Sequence, residues 1–251
     1  GIMRLHLNNK DIFHFGPLDQ GWWPDGLYTA PSDEALLFDI KAMKALEFNM
    51  IRKHIKIEPA RWYMHCDREG ILVWQDLPSP NLPSGYEDYA KKNFEDESKR
   101  IITAFRNHPS IIQWVVFNEG WGQFDTERMT QIVIGEVGQS LVCCASGWVD
   151  APIGDIKDSH SYPNPSCPLD ETRAGVCGEY GGITLKVQGH IWPGGDFQYT
   201  TVETGKDFTV LFNNLADKVI DHYYYGLNAA VYTQLSDVEI EKNGIYTYDR
   251  R

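Results

Sequence analysis

The sequence lacks several features that would each assign a protein to a familiar class. No apolar run approaches the ~20 residues of a membrane-spanning helix. None of the short motifs of phosphate-binding loops or zinc-binding helices occurs. Basic residues are scarce, since 23 Lys and Arg stand against 35 Asp and Glu, a formal net charge of −12. This acidity argues against a nucleic acid or an anionic membrane as partner.

Cysteine is present without a recognisable pattern. The five cysteines have no CxxC spacing, and Cys143, Cys144 and Cys177 lie inside apolar segments. Buried free thiols are therefore the favoured interpretation, ahead of a disulfide framework or a catalytic thiol. The sequence starts at Gly1 without a signal-peptide pattern, and no compartment is predicted.

Short apolar runs alternate with amphipathic segments along the chain. With 42% hydrophobic residues, 251 residues can bury a large core. Ser32 is a good N-cap for a helix that begins at Asp33, and similar helical patterns cover 58–69, 87–107, 125–139 and 207–225. The apolar runs are typical of buried parallel strands and cover residues 11–16, 49–54, 71–76, 111–119, 141–146, 156–162, 174–180 and 229–234.

Eight strands alternating with helices predict an α/β fold, a (β/α)8 TIM barrel, as one domain over 1–251. A doubly wound sheet is the alternative, but "FGPLDQGWWPDG" is not the Gly-rich first turn that it would usually contain. The connection 146–156 is too short for a full helix, and "TYDRR" ends the sequence before a helix could follow strand eight. "LHLNNKDIFHF" predicts a hairpin that plugs the barrel floor, with Asn8-Asn9 at its turn.

Two glutamates end apolar strands where a barrel active site forms, at the C-terminal ends of the strands. Glu119 follows the fourth strand and Glu179 the seventh, and these strands lie nearly opposite each other in an eight-stranded barrel. Retaining glycoside hydrolysis needs two carboxyl groups ~5 Å apart, one nucleophile and one acid/base. Any single glutamate could also be a solvated loop residue. This interpretation fits Glu119 and Glu179 poorly, because each comes directly after a buried strand.

The other strand ends are rich in amides, carboxylates and aromatic rings, a composition that suits a carbohydrate better than a phosphate or a lipid. His160 has two open interpretations, a ligand of a sugar hydroxyl or a satisfied core histidine. The candidate sugar-binding residues at these ends are Arg52, His54, Asp76, Asn118, Trp121, His160, Tyr162 and Gln234.

The segment 183–207 is long, has several glycines and aromatic residues, and shows no apolar periodicity. Such loops are uncommon unless they are functional. We interpret it as a flap over the aglycone side, with Trp192 and Phe197 as candidate sugar platforms. The alternative is an interface to a neighbouring domain.

Several segments closely resemble the catalytic barrel of family 2 glycoside hydrolases, which includes β-galactosidases, β-glucuronidases and β-mannosidases. They are "NEGWGQ", "GEYGG", "HPSIIQWVVFNE", "FNMIRKHIKIEPARWYMHCDREGILVWQD" and "SHSYP". The resemblance implies that Glu119 is the acid/base and Glu179 the nucleophile, that Asn118 binds the sugar 2-hydroxyl, and that Tyr162 hydrogen-bonds the nucleophile. It implies chemistry without metal or organic cofactor, and β-sandwich domains flanking the barrel in a longer chain.

These roles require opposite protonation states. Glu119 has to be protonated near neutral pH, which an apolar wall such as Trp121 favours by disfavouring the charged form. Glu179 has to be ionised, which Arg52 and the Tyr162 hydroxyl favour.

The sequence also departs from the family pattern. Arg52-Lys53-His54 stands where many members have Arg-x-Ser-His, and Thr233-Gln234 where many have a tryptophan. "VWQD" is similar to the mannosidase branch, but "FNEGWGQ" lacks its doubled Asn-Glu. The Asn-x-Lys motif of glucuronidases occurs only at Asn8-Asn9-Lys10, at the wrong end of the barrel.

We therefore expect a retaining, exo-acting β-glycosidase that hydrolyses O-glycosidic bonds, most like a β-galactosidase. A β-mannosidase or β-glucuronidase type is the alternative within the family. A non-catalytic carbohydrate-binding barrel and a scaffold barrel are the alternatives from other classes.

Overall fold

The computed structural model describes residues 2–79 and 87–251. Its strands are β1 (His6–Leu7), β2 (Lys10–Asp11), β3 (His14–Asp19), β4 (Met50–Lys53), β5 (Leu72–Asp76), β6 (Ile111–Asn118), β7 (Leu141–Ser146), β8 (Ile156–Ser161), β9 (Ala174–Gly181), β10 (Ile183–Leu185), β11 (Thr200–Val202) and β12 (Ala229–Thr233). Eight of them form one parallel sheet in the order β7-β6-β5-β4-β3-β12-β9-β8. The predicted (β/α)8 TIM barrel is confirmed.

The barrel is nearly closed, because β7 and β8 meet without a regular ladder. Asp155 N donates to Val142 O at 2.8 Å, and Ser146 Oγ donates to Asp158 Oδ2 at 2.5 Å across the same gap. One backbone and one side-chain hydrogen bond therefore bridge the ring of strands at this seam.

The helices are α1 (Asp33–Ala45), α2 (Ala60–Glu69), α3 (Asp88–Phe105), α4 (Thr126–Val137) and α5 (Gly205–Tyr225). Ser32 caps α1 as predicted, since its Oγ accepts from Ala35 N at 3.2 Å. Within the described part of the chain, no helix follows β7, β8 or β12, which agrees with the short 146–156 connection. None of the helices described is long and apolar enough to cross a membrane.

Two apolar layers stabilise the barrel. The interior layer includes Trp74, Val115 and Val231, while the outer layer packs Ile40 of α1 and Trp62 of α2 against the outside of the sheet. Fully burying such a side chain contributes roughly 1.5–3 kcal/mol. All five cysteines are free thiols, and four are buried, as expected.

The N-terminal hairpin forms and plugs the floor. Asn8 and Asn9 have φ angles of 52° and 62°, the left-handed pair that a two-residue hairpin turn needs. Leu5, only 6% exposed, joins the interior layer beneath the strands, and its N–H donates to Asn228 Oδ1 at 3.1 Å.

The first barrel strand begins later than the 11–16 run predicted for it. Asp11 pairs with His6 in the hairpin, and β3 instead continues through Gly16 and Pro17. A Cβ on Gly16 would lie 1.7 Å from Met50 O, so glycine is needed for the close approach of β4. Glycine and proline are depleted in strands, which is why the pattern alone placed this strand too early.

Candidate active site

A pocket of about 230 Å³ opens at the C-terminal ends of the barrel strands. Its lining comes from β3, β6, β9 and β12 and from the segments that follow β3, β4, β5, β6, β8, β10 and β12. Among the lining residues are Gln20, Asn118, Glu119, Tyr162, Glu179 and Glu241.

The structure brings Glu119 and Glu179 together across this pocket. One carboxylate oxygen of each lies within 4.8 Å of the other. His160 lies between them, with Nδ1 3.2 Å from Glu119 Oε1 and 3.4 Å from Glu179 Oε2. Two carboxylates at this spacing can act on the two sides of one glycosidic bond.

Glu119 stands on the rim, immediately after β6 ends. Its φ of 58° is a left-handed conformation, uncommon for a residue with a side chain, and its N–H donates to Ser146 O at 2.7 Å. Its side chain is 25% exposed and accepts hydrogen bonds from Trp121 Nε1 and Trp148 Nε1, both at 3.2 Å.

These contacts overturn the expectation that Trp121 keeps Glu119 protonated. The hydrogen bond from His160 is the main cause that lowers the pKa of Glu119 to about 2, and both indole N–H groups lower it further. Trp121 offers Glu119 a hydrogen-bond donor rather than an apolar face, so it stabilises the charged form. In the free protein Glu119 is a carboxylate.

Glu179 lies deeper, on a strand whose residues are all buried. Tyr162 Oη donates to its Oε2 at 2.6 Å, and Arg52 Nη1 lies 3.2 Å from its Oε1. Burial raises the pKa of Glu179, but the charges of His160 and Arg52 and the Tyr162 hydrogen bond outweigh it, so the net shift is downward. The expectation that Arg52 and Tyr162 keep Glu179 ionised is confirmed.

Arg52 and Asp76 lie beneath the pocket instead of lining it, contrary to the prediction that they bind sugar. Arg52 is fully buried, and its Nη2 contacts Asp76 Oδ2 at 2.9 Å and Asn118 Oδ1 at 2.7 Å. Asp76 is 1% exposed. The guanidinium therefore positions Asn118 and Glu179, while Asp76 neutralises it in the low-dielectric interior.

The surroundings of His160 favour its protonated form. Its Nε2 lies 2.7 Å from Ser146 Oγ, which donates to Asp158 Oδ2 at 2.5 Å, and its Nδ1 faces the two glutamates. Burial lowers the pKa of His160, but the carboxylates of Glu179, Glu119 and Asp158 together raise it above its usual value. His160 is thus a buried, hydrogen-bonded side chain beside both glutamates, and whether it also binds a sugar hydroxyl stays a prediction.

Ser146 and Asp158 were not identified from the sequence as site residues. The signal for Asp158 is Gly178, because a Cβ at Gly178 would lie 2.2 Å from Asp158 Oδ2. Gly178 N also donates to Asp158 Oδ1 at 2.6 Å. A glycine immediately before a strand-end glutamate marks the place where a buried carboxylate approaches the backbone.

The remaining predicted sugar ligands lie in different places. His54 lines the pocket, with Nε2 3.7 Å from Glu179 Oε1. Gln234 is fully buried and supports the rim from below. Trp192 packs edge-on against Tyr248 at 5.3 Å and lines a separate small cavity, so its prediction as a platform of this pocket is wrong.

The segment 183–207 has more structure than its sequence indicates. β10 and β11 pair in parallel within it, with Ile183 opposite Thr200. Phe197 and Tyr199 line the pocket, and the Tyr199 ring stacks on Tyr162 with centroids 3.7 Å apart. Whether it works as a flap or as a domain interface stays a prediction.

Glu119, His160 and Glu179 are also close enough together to hold a metal ion. The guanidinium of Arg52 and the imidazolium of His160 already compensate both carboxylates, and a metal cation would be repelled by them. The arrangement fits acid/base chemistry by the carboxylates themselves. That no metal or organic cofactor is required stays a prediction.

Residues 5–150 match the sequence profile described as "Glycosyl hydrolases family 2, TIM barrel domain". A β-galactosidase of Oenococcus oeni is 34% identical over 103 residues, which are 38% of this chain and 10% of that protein.

Two solved structures share the barrel fold. A β-glucuronidase from Ruminococcus gnavus matches 99% of this chain with a TM-score of 0.79 and 16% identity. A family 2 β-galacturonidase from Eisenbergiella tayi matches 100% with a TM-score of 0.77 and 17% identity. The chain spans about half the length of these structures, 49% and 51% respectively.

Proposed function

The chain belongs to glycosyl hydrolase family 2, and from this premise we propose that it is the catalytic barrel of a retaining, exo-acting β-glycosidase. Glu179 is the nucleophile and Glu119 the acid/base in this proposal. The observation that supports it most is the pair of carboxylates facing each other within 4.8 Å across one pocket.

In the first step Glu179 attacks the anomeric carbon. A bond forms between its carboxylate oxygen and that carbon, while the bond from the carbon to the glycosidic oxygen breaks. Glu119 gives a proton to the departing oxygen, and the alcohol leaves. The proton comes to Glu119 from the His160 imidazolium along their 3.2 Å contact, because a bound aglycone covers the rim and disfavours the charged carboxylate.

In the second step the roles of Glu119 reverse. Its carboxylate takes a proton from a water molecule as the water oxygen attacks the anomeric carbon, and the bond to Glu179 breaks. The sugar leaves with the anomeric configuration that it had in the substrate. Glu179 returns to the ionised state that Arg52 and Tyr162 stabilise, and Glu119 passes the proton taken from water back to His160, which restores the starting state.

Asn118 is proposed to bind the sugar 2-hydroxyl, since it lines the pocket beside Glu119 and its Oδ1 is held by Arg52 at 2.7 Å. A pocket of about 230 Å³ encloses one sugar ring, which supports attack at a chain end. The substrate is a β-linked carbohydrate, and the proposed neighbours of the barrel in the whole protein are β-sandwich domains.

A panel of aryl β-glycosides tests the function, with the anomer of the first product followed by proton NMR. We expect release of the phenol and initial formation of the β-anomer. Formation of the α-anomer would contradict retention. Sugar binding without phenol release would instead support a non-catalytic carbohydrate-binding barrel.

A further inference from the structure

One wall of the catalytic pocket presents a third carboxylate, that of Glu241, in the loop after β12. Gln20 Nε2 donates to its Oε2 at 2.9 Å, and Asn243 Nδ2 donates to its Oε1 at 3.1 Å. Each carboxylate oxygen thus has one amide donor, which leaves acceptor capacity on both oxygens for a ligand.

A frame of amides fixes this carboxylate in place. The buried Gln234 accepts from Gln20 Nε2 at 2.9 Å and donates to Asn243 Oδ1 at 2.8 Å. Gln20, Gln234 and Asn243 therefore hold one another as well as Glu241. Glu241 was not predictable from the sequence, because it lies in an irregular segment and its frame joins residues more than 200 positions apart.

No cation forms an ion pair with Glu241: within residues 2–79 and 87–251, no lysine, arginine or histidine nitrogen lies within 4.0 Å of its carboxylate oxygens. Its charge acts on His54 only from a greater distance, where it partly offsets the burial that lowers the pKa of His54. The adjacent Lys242 turns away, with Nζ 2.6 Å from Asp196 Oδ1. An ionised carboxylate held only by neutral amides keeps its full attraction for a hydrogen-bond donor and its full repulsion for an anion.

The described lining of the pocket also offers no cation to a negatively charged sugar. It contains no lysine or arginine, and burial lowers the pKa of His54, its basic residue next to Glu179. Arg52 lies beneath the floor and is engaged by Asp76 and Glu179. A sugar carboxylate would therefore be desolvated in the pocket and repelled by Glu241, with no cation to compensate its charge.

The position of this wall determines which part of the substrate meets it. In the proposed mechanism the aglycone leaves past Glu119, and the sugar ring fills the rest of the pocket, whose lining includes Gln20, Phe197 and Glu241. The hydroxyl groups of a neutral hexose are hydrogen-bond donors and suit a carboxylate acceptor.

We propose that Glu241 is a specificity-determining residue that selects neutral β-hexosides and rejects β-hexuronides. This inference depends on the proposed glycosidase function. It separates the chain from the two solved structures described above, a β-glucuronidase and a β-galacturonidase.

The test compares kcat/KM on nitrophenyl β-galactoside and β-glucoside with kcat/KM on nitrophenyl β-glucuronide and β-galacturonide. We expect the wild type to favour the neutral sugars by about 100-fold or more, as sites with a mismatched polar wall do. Glu241→Gln, which keeps the shape and removes the charge, should reduce this ratio at least tenfold. The exposed Glu239→Gln, in the same loop, should leave the ratio unchanged. A wild-type preference for uronides, or a ratio equal in wild type and Glu241→Gln, would overturn the proposal.

Failure of catalysis is distinguishable from failure of this inference. If the wild type cleaves none of the four substrates, the proposed function fails, and calorimetry with galactose and galacturonate then tests Glu241 alone. If the wild type binds galactose more tightly than galacturonate, and this preference is smaller in Glu241→Gln, the result would still support selection by Glu241. Equal binding, preference for galacturonate or binding of neither sugar would overturn it.

Discussion

The two sides of the pocket hold their carboxylates in contrasting ways. Glu179 lies on a fully buried strand, its side chain is 8% exposed, and its partners Arg52 and Tyr162 are themselves held by further hydrogen bonds. Glu119 stands on the rim with a side chain 25% exposed, and two of its three donors are the exposed indoles of Trp121 and Trp148, at 43% and 55%.

The difference fits the two chemical tasks that we propose for these carboxylates. A nucleophile has to keep one charge and one position, which a rigid and charge-compensated mount provides. An acid/base has to gain and lose a proton in each turnover, which requires contact with the aglycone, with water and with a proton donor such as His160. Substitutions on the nucleophile side should therefore reduce activity on every substrate. The effect of substitutions on the acid side should depend on the leaving group and on pH.

Glu179→Gln should have the largest effect. Without a nucleophile no glycosyl-enzyme forms, and we expect kcat to fall on the order of 10⁴-fold or more for every leaving group. Steady-state kinetics on aryl and alkyl β-glycosides measures this. The exposed Glu203→Gln is the matched control and should retain wild-type activity. Residual activity above a few per cent in Glu179→Gln would show that another group attacks.

Glu119→Gln should have an effect that depends on the leaving group. For alkyl glycosides, which need protonation, we expect kcat/KM to fall about 10²- to 10⁴-fold, the usual share of general-acid catalysis. For dinitrophenyl glycosides the loss in the first step should be far smaller. An equal fall of kcat/KM on both substrates would show that Glu119 is not the general acid. Glu127→Gln, exposed on α4, is the control.

His160→Gln should narrow the pH profile of kcat/KM. In the wild type the Glu119–His160 pair keeps its shared proton until the pH rises above the raised pKa of His160. In the variant Glu119 alone holds that proton, with a pKa that rises from about 2 but stays near carboxyl values, so the basic limb moves to lower pH.

The acid limb of the same variant should move to higher pH. His160 is the strongest of the charges that lower the pKa of Glu179, and its removal lets that pKa rise. Beyond a displaced limb, activity falls about tenfold per pH unit. The control His6→Gln, at the exposed hairpin, should reproduce the wild-type profile. An unchanged profile in His160→Gln would mean that the histidine only fills space.

Trp148→Phe should have the smallest effect. It removes one exposed hydrogen bond to Glu119, a contribution of about 0.5–1.5 kcal/mol, or roughly two- to tenfold in kcat/KM. The pKa of Glu119 should rise slightly, visible as a small movement of the basic limb on substrates that need protonation. A loss above a hundredfold would show that the acid side is as rigid as the nucleophile side.

The regular part of the molecule was predictable because each strand is a continuous apolar run. Seven of the eight predicted strands, such as 111–119 and 141–146, coincide with observed ones to within about two residues, a usual boundary error. The exception, β3, contains Gly16 and Pro17, and Gly16 is needed for the close approach of the neighbouring strand β4. The local sequence pattern does not show such a contact between two strands that are distant in the chain.

The site was predictable only where a strand end determines the direction of a side chain. His160 and Glu179 lie at the C-terminal ends of β8 and β9, Tyr162 and Glu119 come directly after β8 and β6, and the barrel brings all four to one axis. Trp192 and Glu241 lie in irregular segments, so their directions depend on contacts made after folding. Arg52 and Asp76 were found at the correct strands, but they pair with each other and turn below the pocket.

Covalent trapping tests the central claim most directly, namely that Glu179 attacks while Glu119 protonates. A 2-deoxy-2-fluoro β-glycoside with a dinitrophenyl leaving group slows both steps and lets the glycosyl-enzyme accumulate, after which mass spectrometry of peptides locates the label. The account predicts one sugar per chain, attached to Glu179, and a slower trapped state in Glu119→Gln. Attachment to Glu119 or to Glu241, or turnover of good substrates without any trapped intermediate, would contradict it.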